Sequence, residues 1–133
     1  RAGIMRYITP LKAAEGLGSS HTGTQHHWAM TVTACAMLVL TPLFMITVAC
    51  AIGLPRELLV IYFGRPVPAI ITALFVTVGM IHFIKGTRIM IDDYFQGTAR
   101  KAAIVISVIF GWAVIACALY ALARMGLGAI VVV

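Results

Sequence analysis

PVPAIITALFVTVGMIHFI, residues 66 to 84, carries no formal charge over nineteen positions and then runs into Lys85. At about 1.5 Å of rise per residue, a helix of that length covers roughly 28 Å, close to the ~30 Å hydrocarbon core of a bilayer. Two further runs behave the same way, Ala29 to Gly53 and Ala102 to Ala123. Three such runs predict an all-α membrane protein that crosses the bilayer three times, with helices over about 27–53, 66–91 and 102–124.

Composition agrees with that reading. Of the 133 residues, 62% are hydrophobic and 11% charged, and the mean hydropathy is +1.03, far from the balance of a soluble domain. The first apolar run begins near residue 29 and is too long for the apolar part of a cleaved signal peptide, so it reads as a retained span. A net charge of +6 raises the question of nucleic acid, but the cations are scattered rather than gathered in a stripe, and no nucleic-acid role follows. Cys35, Cys50 and Cys117 all fall inside predicted spans without metal-site spacing, and read as small packing residues. Three short-looped spans without an inverted repeat or a pair of broken helices do not resemble a transporter.

The cations set an orientation. Three spans place the termini on opposite sides, and a cytoplasmic N-terminus groups Arg1, Arg6, Lys12, Lys85, Arg88, Arg100 and Lys101 against Arg56, Arg65 and Arg124. Seven against three predicts a cytoplasmic N-terminus and a periplasmic C-terminus. Residues 1–28 then form a polar cytoplasmic lead. Gly16, Gly18, Ser19, Ser20 and Gly23 mark it as extended or weakly ordered, and Trp28 ends it as an interface anchor. Residues 29–125 make the three-helix anchor and 126–133 an apolar tail. Pro42 is a candidate kink in the first span, Leu54 to Arg65 reads as a short connection, and Gln96 to Lys101 as a compact turn.

Within this apolar frame few residues can carry chemistry. A histidine inside a span is costly without a partner, so His82 is either bonded to a neighbouring helix or a metal ligand. Gly79 and Gly86 lie one turn to either side of it on nearly the same face. They leave a shallow groove that suits a flat cofactor, or equally a close contact with another helix. For haem iron, the chain offers no second histidine at matching depth. His21, His26 and His27 sit in the lead or at the start of the first span, whereas His82 lies about 16 Å from Asp93 along the second. A bis-histidine haem would need its other ligand from a different polypeptide.

Asp92, Asp93 and Tyr94 end the second span at the predicted cytoplasmic interface. They can simply cap and anchor the helix. Asp93, however, falls only about 20° around the helix from His82. A phenol can hydrogen-bond a quinone carbonyl while a nearby carboxylate relays the protons that reduction requires. Lys85 reads as snorkelling to headgroups, and Arg88 either snorkels or pairs with a haem propionate or an acid.

The segment His82-Phe-Ile-Lys-Gly86-Thr-Arg88-Ile-Met-Ile-Asp92-Asp93-Tyr94, with the lead Gly23-Thr-Gln-His26-His27-Trp28, resembles the small hydrophobic membrane anchor of succinate dehydrogenase (respiratory complex II) of the alphaproteobacterial type. The resemblance covers roughly residues 5 to 125. It implies a multi-pass protein of the bacterial inner membrane that belongs to succinate:ubiquinone oxidoreductase without itself oxidising succinate. It further implies that His82 is an axial ligand of haem b shared with a companion anchor polypeptide, that Tyr94 hydrogen-bonds ubiquinone, and that Asp93 shapes or protonates that site. FAD and iron-sulfur clusters would belong to the flavoprotein and iron-sulfur partners. Some members carry an arginine early in the first span where this chain has Ala29-Met30-Thr31-Val32-Thr33. Propionate contacts then fall to Arg88, His26, His27 or the companion anchor. A fumarate reductase anchor, running the chemistry in reverse, and a structural scaffold without cofactor are the competing readings.

Overall fold

The computed structural model describes residues 9–16 and 23–131. Its elements are α1 (Pro10–Glu15), α2 (Gly23–Ala51), α3 (Arg56–Gly64), α4 (Pro66–Tyr94) and α5 (Gly97–Val131), with no strand among the described residues. Three helices are long and apolar enough to cross a membrane: α2 from His27, α4 throughout, and α5 as far as Gly128.

The helix boundaries follow local chemistry, and several differ from the sequence expectation. Within the lead, Thr9 caps α1 by accepting the Lys12 N–H at 3.2 Å, Pro10 starts the helix and Gly16 ends it at φ 57°. That part of the lead is therefore helical, not extended, as are Gly23 to Trp28, which open α2 four residues ahead of the expected start, while residues 1–8 and 17–22, with Ser19, Ser20 and His21, lie outside the described residues. The stretch 54–65 holds the helix α3, since Leu58, Leu59, Val60 and Ile61 carry an apolar face that has α5 to pack against. Arg65 separates α3 from α4 alone. A residue before proline is pushed out of the α region, and Arg65 sits at φ −70°, ψ 145° ahead of Pro66.

α4 runs three residues beyond Ile91, so Asp92, Asp93 and Tyr94 lie within its last turn. Only Phe95 and Gln96 separate it from α5. Gly97 makes that reversal possible at φ 61°, a left-handed value costly for any residue with a Cβ. α5 thus begins five residues before Ala102 and continues past Arg124 through the tail to Val131, since Met125 to Val131 contains no proline and the helix carries on through Gly126 and Gly128. α2 passes through Pro42 as one continuous helix.

α4 is the central element. It packs along α2 on one side and along α5 on the other, while α3 lies against α5 and touches α4. Phe44 and Phe75 stack at 4.1 Å between ring centroids across α2 and α4, and Phe83 meets Phe110 edge-on at 6.1 Å across α4 and α5. At the other end, the Tyr62 hydroxyl of α3 donates to the Thr47 carbonyl of α2 at 3.0 Å. Gly111 is buried where α5 packs on α4: a Cβ there would stand 2.5 Å from Ile84 Cδ1 and 2.6 Å from Ile84 Cγ1. Such close approach is the usual reason for a small residue between membrane helices. Few of the described side chains are buried, among them Thr47, Ile91 and Ile115. Leu38, Val39, Ile106 and Ile109 instead point outward, as expected where the solvent is lipid or a further apolar surface.

Candidate functional site

His82 is half-buried on α4 and faces α2. Its Nδ1 lies 2.9 Å from Thr33 Oγ1. The same hydroxyl lies 2.9 Å from the Ala29 carbonyl and 3.0 Å from the Met30 carbonyl, both acceptors. A hydroxyl has one proton, and its backbone acceptors can use only that proton. With the Thr33 proton directed to the backbone, its oxygen receives Nδ1–H, and the Nε2 lone pair of a neutral imidazole stays free. Polar contacts between membrane helices are modest, on the order of 0.6 kcal/mol and at most about 2. This contact therefore aims the ring more than it holds the helices together.

The face of α4 that carries the two glycines is turned the same way. A Cβ on Gly79 would meet Met37 Cε at 3.5 Å and Sδ at 3.6 Å, and one on Gly86 would meet Met30 Cε at 3.8 Å. Met30, Thr33 and Met37 thus form one stripe of α2 set against Gly86, His82 and Gly79 in antiparallel register. Within this chain the glycines make a helix contact. Its occupants are thioethers, whose three rotatable bonds let them turn aside for another flat group.

At the end of α4, Arg100 Nε of α5 reaches Asp92 Oδ1 at 2.8 Å across the Gly97 turn. This separates two adjacent acids that look equivalent in the sequence. Asp92 is committed to the turn, whereas Asp93 and Tyr94 are exposed, Tyr94 to 81%, and have no hydrogen-bond or ion-pair partner among the described residues. Lys85 is half-buried and Arg88 exposed, and neither forms an ion pair among those residues.

The other histidines stay apart from His82. Thr33 marks its depth on α2, and His27 precedes Thr33 by six residues, about 9 Å along the axis. His26 is in the same first turns of α2, and His21 lies outside the described residues. Among the described residues no three His, Cys, Asp or Glu side chains gather as a metal site. The three cysteines are free thiols, exposed on the helix surfaces instead of packed between them as expected from sequence.

Two positions that matter here carry little signal in the sequence. Thr33 stands out there only for not being an arginine, although a polar residue in one span and an unpartnered histidine in the next are natural partners at equal depth. Gly111 lies in an uninterrupted apolar run, where nothing but its size distinguishes it.

Three helices long and apolar enough to span a bilayer define a multi-pass membrane protein, with an isolated histidine facing a neighbouring helix, and the similarity to known proteins agrees. The chain belongs to the family described as succinate dehydrogenase/fumarate reductase transmembrane subunit, which matches residues 5–121. It is 81% identical over 128 residues to the succinate dehydrogenase hydrophobic membrane anchor subunit of Paracoccus denitrificans, covering 96% of this chain and 99% of that protein. No solved structure matches the chain. With this family and three apolar helices, the chain is a multi-pass membrane protein.

Proposed function

We propose that this chain is the hydrophobic anchor of a succinate:ubiquinone oxidoreductase in a bacterial inner membrane, with its N-terminus in the cytoplasm. It holds one axial position of a haem b and forms part of the ubiquinone-reduction site. The observation that carries the proposal is the arrangement along α4: a half-buried His82 with one ring nitrogen engaged by Thr33, and Asp93 and Tyr94 exposed at the end of the same helix. The residues fit one axial ligand and not two. The second comes from a companion anchor, and Arg88, His26 and His27 are this chain's candidates for the propionates.

A haem in that position supplies one-electron storage next to the quinone site. This chain's residues supply the rest. Tyr94 donates its hydroxyl proton in a hydrogen bond to a quinone carbonyl, which favours the charge that builds there on reduction. Asp93, unlike Asp92, is free to pass protons to the reduced oxygens. Full reduction takes up two electrons from the iron-sulfur partner and two protons to give the quinol. The exposed apolar faces of α2 and α5 are the surfaces for lipid and for the companion anchor, and the end of the bundle with Asp93 and Tyr94 meets the soluble flavoprotein and iron-sulfur partners. The 81% identity to a succinate dehydrogenase anchor favours this direction over a fumarate reductase anchor.

The test separates quinone chemistry from succinate oxidation. In the purified complex, Tyr94→Phe is expected to lower succinate-driven ubiquinone reduction while electron transfer to a soluble dye is unchanged. Equal losses in the two assays would contradict the assignment.

A further inference from the structure

We propose that Thr33 is a positioning residue for His82: its hydroxyl accepts Nδ1–H, fixing the imidazole tautomer and turning Nε2 toward the haem iron. The inference rests on the reading of His82 as a haem ligand and extends it to a residue outside the His82 to Tyr94 segment. The geometry that carries it is threefold. Thr33 Oγ1 is 2.9 Å from His82 Nδ1. The hydroxyl has backbone acceptors for its own proton in Ala29 and Met30. Thr33 is held by one helix and His82 by another, so the contact fixes the ring relative to the bundle.

The direction of the hydrogen bond decides what the site can do. If Thr33 donated to Nδ1, the ring proton would sit on Nε2 and block ligation. If Thr33 donates to its own backbone, as threonines in helices commonly do, the ring proton sits on Nδ1 and Nε2 is a ligand. Donation from Nδ1–H also raises the basicity of the coordinating nitrogen, which favours ferric over ferrous iron. Removing the acceptor should therefore weaken haem retention and raise the midpoint potential. Valine has nearly the shape of threonine without the hydroxyl, and serine keeps the hydroxyl without the methyl.

The experiment compares the whole complex carrying unaltered Thr33, Thr33→Val, Thr33→Ser and Thr33→Ala, with His82→Ala as control. It reads the reduced-minus-oxidised visible spectrum, the haem content per flavin and the haem midpoint potential. The expected result is a fall in haem affinity of about 10- to 100-fold in Thr33→Val, as is usual for an outer partner of a ligating histidine. What remains bound should have a raised potential, and Thr33→Ser should restore both readouts. If Thr33→Val fails to assemble, Thr33→Ser against Thr33→Ala carries the comparison. Equal haem content and equal potential with and without the hydroxyl would overturn the role of Thr33. Retention of an unaltered haem signal in His82→Ala would instead overturn the underlying assignment, so the two failures are distinguishable.

Discussion

The two seams of α4 are built on different chemistry. Against α5, α4 closes on two apolar contacts, Ile84 over Gly111 and Phe83 against Phe110, with an Asp92–Arg100 ion pair at the turn. Against α2, the same helix presents a histidine to a hydroxyl and two glycines to methionines, with the Phe44–Phe75 stack further along. The first seam relies on size, and its one charged pair among the described residues sits at the turn, outside the apolar stretch. The second brings a histidine, a hydroxyl and adaptable side chains together, which suits the proposed haem site. On the proposed reading, one helix serves as a packing element on one side and a ligand-bearing element on the other.

Overfilling the apolar seam should have the largest effect. Gly111→Leu forces its side chain into the space of Ile84, and overpacking of this kind costs about 1–3 kcal/mol or more. The expected outcome is a large loss of assembled complex in membranes, measured by native gel, with haem lost only in proportion to protein. Selective loss of haem would show that the two seams are not independent. A smaller change tests the other side. Phe75→Leu removes the stack on Phe44 and is expected to cost on the order of 1 kcal/mol, seen as a drop in thermal midpoint of a few degrees. The haem spectrum should stay in place because His82 lies about two turns away.

The smallest effect is expected at the turn. Arg100→Ala breaks an ion pair whose side chains are 51% and 38% exposed, and such pairs contribute about 0–1 kcal/mol. Thermal stability should barely move. The informative readout is ubiquinone reduction, because freeing Asp92 places a second uncommitted carboxylate beside Asp93, and a changed KM for ubiquinone is expected. An unchanged KM would mean that the ion pair serves the turn alone.

The architecture is legible in the sequence because membrane spans are written in long uncharged runs, and 66–84 is one of them. Helix ends are less so. Nothing in Leu54 to Arg65 signals α3 more strongly than a loop until α5 is there to receive its apolar face. Likewise, Arg124 suggests an exit from the membrane but does not end a helix, and α5 continues to Val131. At the site, His82 declares itself by being a histidine among apolar residues, whereas Thr33 is one of several threonines in α2. Only the antiparallel register of α2 and α4 picks it out. The different positions of Asp92 and Asp93 are equally hidden, since they depend on Arg100 returning from the next helix.

The functional reading stands or falls on His82 binding iron, and the reduced-minus-oxidised visible spectrum of the purified complex carrying His82→Ala probes that without intermediaries. A b-type haem band is expected in the unaltered complex, with its loss or marked change in the variant while all partner polypeptides are still present. A band of unchanged position and intensity in His82→Ala would contradict the assignment.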